Sequence, residues 1–300
     1  MIQIAHASLY NHALPKDHRF PMLKYELIPE QLLYEGIIKP NNLFHPRLLE
    51  DDEITLTHSP TYLQDLKKLR ISDSEIRRIG FPLSDALILR EICIAGGTVD
   101  GCYKALENGI GFNIAGGTHH AFSNKGEGFC LLNDQAIAAN HLLASGKVRK
   151  ILIIDLDVHQ GNGTAEIFKN EPRVFTFSMH GKNNFPFHKE ISDLDIALPD
   201  KIVDEDYLEL LESTLPDLLE NEKPDFLFFL AGVDILQTDK YGKLSISLEG
   251  CKKRDEMVIA EAFRRKIPLF ICMGGGYSPK ISDIINAHCN TFRIGFDYYS

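Results

Sequence analysis

The sequence predicts a single α/β domain over residues 1–300 with a mainly parallel sheet, and three observations carry that reading. Short apolar runs alternate along the chain with longer stretches whose apolar residues recur at helical spacing. The runs are apolar without interruption, as in I-L-I-I at Ile151–Ile154 and F-L-F-F-L at Phe226–Leu230, which is how strands covered on both faces read. No Pro/Ser-rich linker, internal repeat or low-complexity segment divides the chain.

Taken in order, Met1–Ala5 reads as a short strand. A polar, aperiodic segment from His12 to Tyr25 then leads into a helix near Pro29–Ile38. Ile54–His58 alternates like a strand, and Ser59-Pro60 opens a helix with Pro at its first position. Two short helices are expected over 60–70 and 73–78, and Ser84 caps a long one, Asp85–Asn108, in which Gly96-Gly97 marks close packing. A strand at Gly111–Ala115 is followed by a polar loop, Phe122–Phe129, and a helix from Asn133 to about Ala144. The strand that begins at Ile151 leads to a helix near Gly163–Lys169, then to a strand Val174–Met179 ending in His180. After the irregular Gly181–Asp193 come a strand Leu194–Leu198, a helix Asp204–Asn221 and a strand Phe226–Ala231. Helix Leu248–Arg265, strand Leu269–Met273 and a helix near Ser278–His288 complete the chain.

A hydrophobic content of 44% with 25% charged residues is ordinary for a globular enzyme. The net charge of −10 argues against non-specific nucleic-acid binding, which needs clustered Lys and Arg, and is compatible with a basic peptide substrate. The six cysteines form no C-x-x-C pair and no framework spacing, which points to reduced thiols. The N-terminus lacks a signal-peptide pattern and no apolar run approaches the ~20 residues of a membrane span. A cytoplasmic protein is the expectation.

The chemistry concentrates in Ile151–Thr164, I-L-I-I-D-L-D-V-H-Q-G-N-G-T. Asp155, Asp157 and His159 stand at alternate positions, so an extended chain would point all three to one face. Burying three ionisable groups without a partner is costly, and a divalent cation would compensate them. Carboxylate and imidazole ligands suit Zn²⁺ or Fe²⁺ better than Ca²⁺. Three further strands end in polar signatures: T-H-H at 118–120, A-G-V-D at 231–234 and G-G-G-Y at 274–277. Singly, each has a plain structural explanation: a packed His pair, a helix-capping Asp, a turn. Jointly they lie where ligands bind in open parallel sheets, at the carboxyl ends of strands. Asp157, His159 and Asp234 would give three ligands and leave a position open for water. His119 and His120 would supply base and acid, and Tyr277 a hydrogen bond to a developing oxyanion. Such a set hydrolyses an amide without a covalent intermediate.

The combination G-G-T-H-H-A (116–121), G-E-G-F-C-L-L-N-D (126–134), D-L-D-V-H-Q-G-N-G-T (155–164), F-S-M-H (177–180), A-G-V-D and G-G-G-Y resembles the zinc-dependent histone deacetylase family, in the right order over nearly the whole chain. The length and the H-Q-G-N-G variant are similar to its class IV branch and bacterial relatives. The resemblance implies the arginase/deacetylase fold, an eight-stranded parallel sheet flanked by helices, and removal of acyl groups from lysine side chains or related amines. It assigns zinc to Asp157, His159 and Asp234. His120 becomes the main proton-transfer residue, His119 an electrostatic partner paired with Asp155, and Tyr277 the oxyanion donor. It places Gly128 and Phe129 on the acyl-lysine tunnel, with Phe185 or Phe187 opposite. Asp155 and Ser178 resemble the family's structural potassium site, and Arg19 the basic residue near its acetate exit channel. One departure stands out: Asn162 occupies the position of an Asp that charges the second histidine in class I relatives, so His120 should be less basic. The substrate would be an acyl-lysine protein or peptide, or a small acylated amine such as an acetylpolyamine, which an acidic rim would favour. An arginase-type dimetal site would need an Asp where Gly161 stands. An inactive acyl-lysine-binding scaffold would have no need of the three ligands, both histidines and Tyr277.

Overall fold

A run that is apolar on both alternating faces is stable only as a strand with a layer above and below, and the sheet forms where those runs occur. The computed structural model describes residues 1–300. Eight strands, β1 (Gln3–Ala5), β2 (Leu43–Phe44), β3 (Ile110–Asn113), β4 (Ile151–Asp155), β5 (Val174–Gly181), β6 (Leu194–Leu198), β7 (Phe226–Leu230) and β8 (Leu269–Cys272), pair in the order β2-β1-β3-β8-β7-β4-β5-β6. Every pairing is parallel. The four inner strands β3, β8, β7 and β4 are buried at every residue. Because β7 and β8 insert between β3 and β4, the segments that follow these four strands emerge side by side. Those segments carry residues 118–120, 155–159, 231–234 and 274–277. The topology alone gathers the four polar signatures.

Ten helices surround the sheet: α1 (Lys24–Tyr34), α2 (Asp51–Ile54), α3 (Pro60–Lys67), α4 (Asp73–Ile79), α5 (Asp85–Asn108), α6 (Asp134–Ala144), α7 (Asn162–Phe168), α8 (Asp204–Glu222), α9 (Leu248–Arg265) and α10 (Ile281–Tyr299). Ser84, as expected, caps α5 by accepting a backbone N–H, and Asn133 and Ser247 do the same for α6 and α9. The sheet register pairs Phe112 with Ile271, so Phe112 and Phe270 point to opposite faces. A Cβ on Gly101 of α5 would lie 2.3 Å from the Phe270 ring, and one on Gly295 of α10 would lie 2.4 Å from the Phe112 ring. Thus α5 covers one face and α10 the other, each at glycine-only distance. Gly96 likewise lets the Arg47 carbonyl against α5. All six cysteines are buried and free. No helix is long and apolar enough to cross a membrane.

Three elements depart from the expectation. Ile54–His58 is not a strand: α2 ends at Ile54, its start fixed by the Glu50 N–H donating to Glu53 Oε2 at 2.9 Å. Its buried residues are Ile54, Thr57 and His58, a helical spacing hidden under the apparent alternation. The eighth strand is Leu43–Phe44 instead, whose two residues are too few to show a period. The helix expected at Pro29–Ile38 starts at Lys24 and encloses Pro29, and the last helix runs on to Tyr299.

Candidate active site

β4 ends at Asp155, so Asp157 and His159 do not share an extended strand with it, contrary to the alternation argument. They converge through local turns. The Asp157 N–H donates to Asp155 Oδ1 (3.2 Å) and the His159 N–H to Asp157 Oδ1 (3.0 Å), each carboxylate capping the backbone two residues on. Asp155 is thereby turned to His119, whose Nδ1 lies 2.7 Å from its Oδ2. His159 Nδ1 stands 3.0 Å from Asp157 Oδ1 and 3.1 Å from Asp234 Oδ2. Asp157, His159 and Asp234 each offer a ligand atom, all within 4.8 Å of one another. Backbone donors hold the outer oxygens, Gly275 N–H on Asp157 Oδ2 (2.8 Å) and Val158 N–H on Asp234 Oδ1 (3.0 Å). Burial and the charge of Asp157 push Asp234 up to about 7. Burial would lower the His159 pKa, but the two carboxylates raise it to about 10. A buried site with two carboxylates around one imidazole attracts a positive charge, and its donor set fits a divalent cation.

Arg254 ties the two ligand loops together. Fully buried in α9, it donates to the carbonyls of Leu156 (3.0 Å) and Gly232 (2.7 Å) while its Nε binds Asp255 at 2.7 Å. Removing one partner of a buried ion pair strands the other, at a cost of about 3–5 kcal/mol. Arg254→Met is therefore expected to lose that much unfolding free energy in urea denaturation. A loss under about 1 kcal/mol, typical of neutral surface changes, would show the clamp to be incidental.

His119 and His120 follow β3, their ring centroids 4.1 Å apart. Burial would lower the His119 pKa, but Asp155 and Asp157 outweigh it and raise it. Burial, with the nearby His119 and His159, drives His120 well below the usual histidine value, so it stays neutral. His120 Nδ1 lies 2.7 Å from Asn162 Oδ1, and Asn162 Nδ2 donates to Glu127 Oε1 at 2.6 Å. Ser178 pairs with Asp155 across β4 and β5, both buried, with Ser178 Oγ 3.0 Å from His180 Nδ1.

An inner cavity of about 40 Å³ is lined by both histidines, Asp157, His159, Asp234, Gly128, Phe129 and Tyr277. It meets an outer mouth of about 360 Å³. Gly128 and Phe129 adopt positive φ, with their N–H groups on the carbonyls of Arg78 (3.1 Å) and Ile79 (2.7 Å). Phe129 stands 6.0 Å from Tyr277 on one side, and Phe185 stands 4.9 Å from His120 on the other. Phe187 is 87% exposed and packs on Phe185 at the mouth, so of the two candidates only Phe185 packs near the histidines. Arg19 is not at the inner end, where the family resemblance puts it. Its guanidinium lies over the rings of Phe129 (4.9 Å) and Tyr241 (5.6 Å) at the mouth. The inner cations are Arg90, which lines the inner cavity, and Lys24, whose Nζ donates to the Gly274 carbonyl at 3.0 Å. Burial lowers Lys24 to about 8, with Asp234 and Asp157 opposing. Its signal was its register: Lys24 shares the buried face of α1 with Ile28 and Leu32, a place a surface lysine avoids. Asp239, which accepts from Tyr277 N–H at 2.6 Å, and Glu127 carried no such signal.

Comparison with known proteins agrees with this geometry. The histone deacetylase domain family matches residues 18–292. An uncharacterized protein of Picosynechococcus sp. is 42% identical over 290 residues, covering 97% of each chain. Histone deacetylase 2 of Arabidopsis thaliana is 28% identical, covering 95% of this chain and 76% of its own. The acetoin utilization protein AcuC of Staphylococcus aureus is 27% identical, over 90% and 75%. The crystal structure of the HDA15 HD domain superposes with a TM-score of 0.82 at 20% identity, over 99% of this chain and 88% of that one, which establishes the shared fold. With the domain match running through every segment that lines the inner cavity, the chain belongs to the histone deacetylase family and is a hydrolase of acetylated substrates.

Proposed function

We propose that the chain hydrolyses the amide of acylated lysine side chains. The observation that carries this reading is the shared inner cavity. Two carboxylates and an imidazole, a neutral His120 and a protonated Tyr277 line it together, and Phe129 flanks its approach. A divalent cation, Zn²⁺ or Fe²⁺, held by Asp157, His159 and Asp234 would polarise the acyl carbonyl and make a water acidic near neutral pH. His120 takes the proton of the attacking water at Nε2 and passes it to the leaving amine. His119, made more basic by Asp155, adds positive charge beside the developing negative charge. Tyr277 donates its O–H to the carbonyl oxygen. Phe129 and Phe185 flank the aliphatic part of the acyl-lysine, and Asp155 with Ser178 would hold a structural K⁺. Release of fluorophore from an acetyl-lysine peptide, with metal content measured on the same sample, tests the reading. Stoichiometric metal and peptide binding without turnover would make the chain an acyl-lysine binder instead.

The contact of Asn162 with Glu127 supports a free Nε2 on His120. A carboxylate only accepts hydrogen bonds, so the Asn162 amide must present Nδ2 to Glu127 and Oδ1 to His120. His120 Nδ1 must then carry the proton, which leaves Nε2 as the base. Without Glu127 the Asn162 amide can flip and offer a donor to His120. Glu127→Ala is expected to lower kcat about tenfold, the worth of one well-placed hydrogen bond, with KM little changed. Asn162→Asp in the same chain should restore it, because a carboxylate needs no orienting. A silent Glu127→Ala, or a double variant no faster than the single one, removes Glu127 from this role.

A further inference from the structure

The mouth of the cavity carries charge of one sign. Among the residues around its 360 Å³ are Arg19, Arg78 and Lys243, and no Asp or Glu. This holds in a chain whose net charge is −10, so the mouth is set against the molecule as a whole. The three cations come from separate segments, each of which touches a wall of the site through backbone or side chain. Arg19 lies over the ring of Phe129. The Arg78 carbonyl accepts the Gly128 N–H. Lys243 donates from Nζ to the Asn183 carbonyl (2.8 Å), and its N–H donates to Asn184 Oδ1 (3.3 Å), in the segment that leads into Phe185. Lys189 braces the same segment from behind, on the carbonyls of Asn184 and Pro186. Glu75, one turn before Arg78 on α4, gives its carboxylate to Ser72. A ring holds Arg19 and a carbonyl holds Lys243, and none of the three cations forms an ion pair with a carboxylate, although Glu75 feels the charge of Arg78. Whatever flanks the acyl-lysine side chain meets this mouth.

We infer that the preferred substrate is an acylated amine with a carboxylate at the outer end of its aliphatic chain, supplied either by acidic residues flanking an acyl-lysine or by the α-carboxylate of free Nε-acyl-lysine. This rests on the acyl-lysine reading and excludes acetylpolyamines and basic histone-like tails as preferred substrates, because like charge at a rim raises the barrier to encounter. The experiment compares kcat/KM for acetyl-lysine peptides flanked by Asp/Glu, by Ser/Gln or by Lys/Arg, with acetylspermidine, free Nε-acetyl-lysine and its carboxamide alongside. The acidic peptide should exceed the basic one by about tenfold at low ionic strength, the lower end of electrostatic steering. The ratio should shrink in 0.5 M salt as screening shortens to roughly 4 Å. In Arg78→Gln/Lys243→Gln the acidic-to-basic ratio should fall toward one, a readout that a general loss of activity does not move. Acidic peptide ahead of free acetyl-lysine assigns the flanking side chains. Free acetyl-lysine ahead of its carboxamide assigns the α-carboxylate. Equal rates on all peptides, or a faster basic peptide or acetylspermidine, overturn the inference. Fluorescence polarisation of the same peptides reads the charge preference without turnover, so acidic selectivity in binding with no hydrolysis would count against the hydrolase reading and leave this one standing.

Discussion

Asp234→Asn is expected to lose bound metal and turnover together while the chain stays folded. The substitution keeps the shape of the side chain and an oxygen for the Val158 N–H, but it removes the charge opposite His159 and puts an amide where Oδ2 stood. A three-ligand site that loses one anionic donor loses most of its affinity. The competing explanation is a buried ion pair with no metal role, in which Asp157 alone would go on holding His159 and activity would persist. Thermal melting separates the two without an assay of catalysis. A metal at a hundredfold its Kd adds about 2.7 kcal/mol to the folded state, a rise of about 4 °C in Tm for a chain of this length. Wild-type protein stripped with chelator should regain that once free Zn²⁺ reaches a hundredfold its Kd, and Asp234→Asn at the same free Zn²⁺ should not. Equal responses would take Asp234 out of the ligand set.

What could be read ahead of the structure was whatever a residue's own neighbours decide. The bounds of α5 and α9 follow from Ser84 and Ser247 before helical-period runs, and β4 and β7 from unbroken apolar stretches. The four polar signatures were legible because parallel strands put their carboxyl ends on one edge. What escaped depended on distant partners. Leu43–Phe44 is a strand only because β1 lies beside it. Phe185 faces the site, and Phe187 solvent, in a segment held by Asn184 Nδ2 on the Tyr241 carbonyl, 57 residues away. Asn162 looked like a loss of charge beside His120, and only the fold shows Glu127 on its far side. Asp157 and His159 do converge, but through turns and not through strand alternation.

Tyr277→Phe should lower kcat by about 10²–10³, the usual cost of one oxyanion donor, with metal content retained and KM little changed. The residue follows Gly274-Gly275-Gly276 at the end of β8, where Gly274 and Gly276 take positive φ and let the chain turn tightly over the site. Its N–H is fixed on Asp239, and its ring lies 6.0 Å from Phe20, 6.0 Å from Phe129 and 5.3 Å from Tyr241. Phenylalanine keeps each of those ring contacts, so the substitution isolates the hydroxyl. Burial pushes the phenol well above its ordinary value, so it is a donor at neutral pH. The acyl oxygen gains charge only as the tetrahedral species forms, so the donor binds that species better than the substrate and its loss falls on kcat. If Tyr277 merely packs beneath the glycine turn, Phe should be almost silent. A Tyr277→Phe enzyme with near wild-type kcat would therefore leave the oxyanion without a side-chain donor from this turn, and stabilisation would have to come from elsewhere in the cavity.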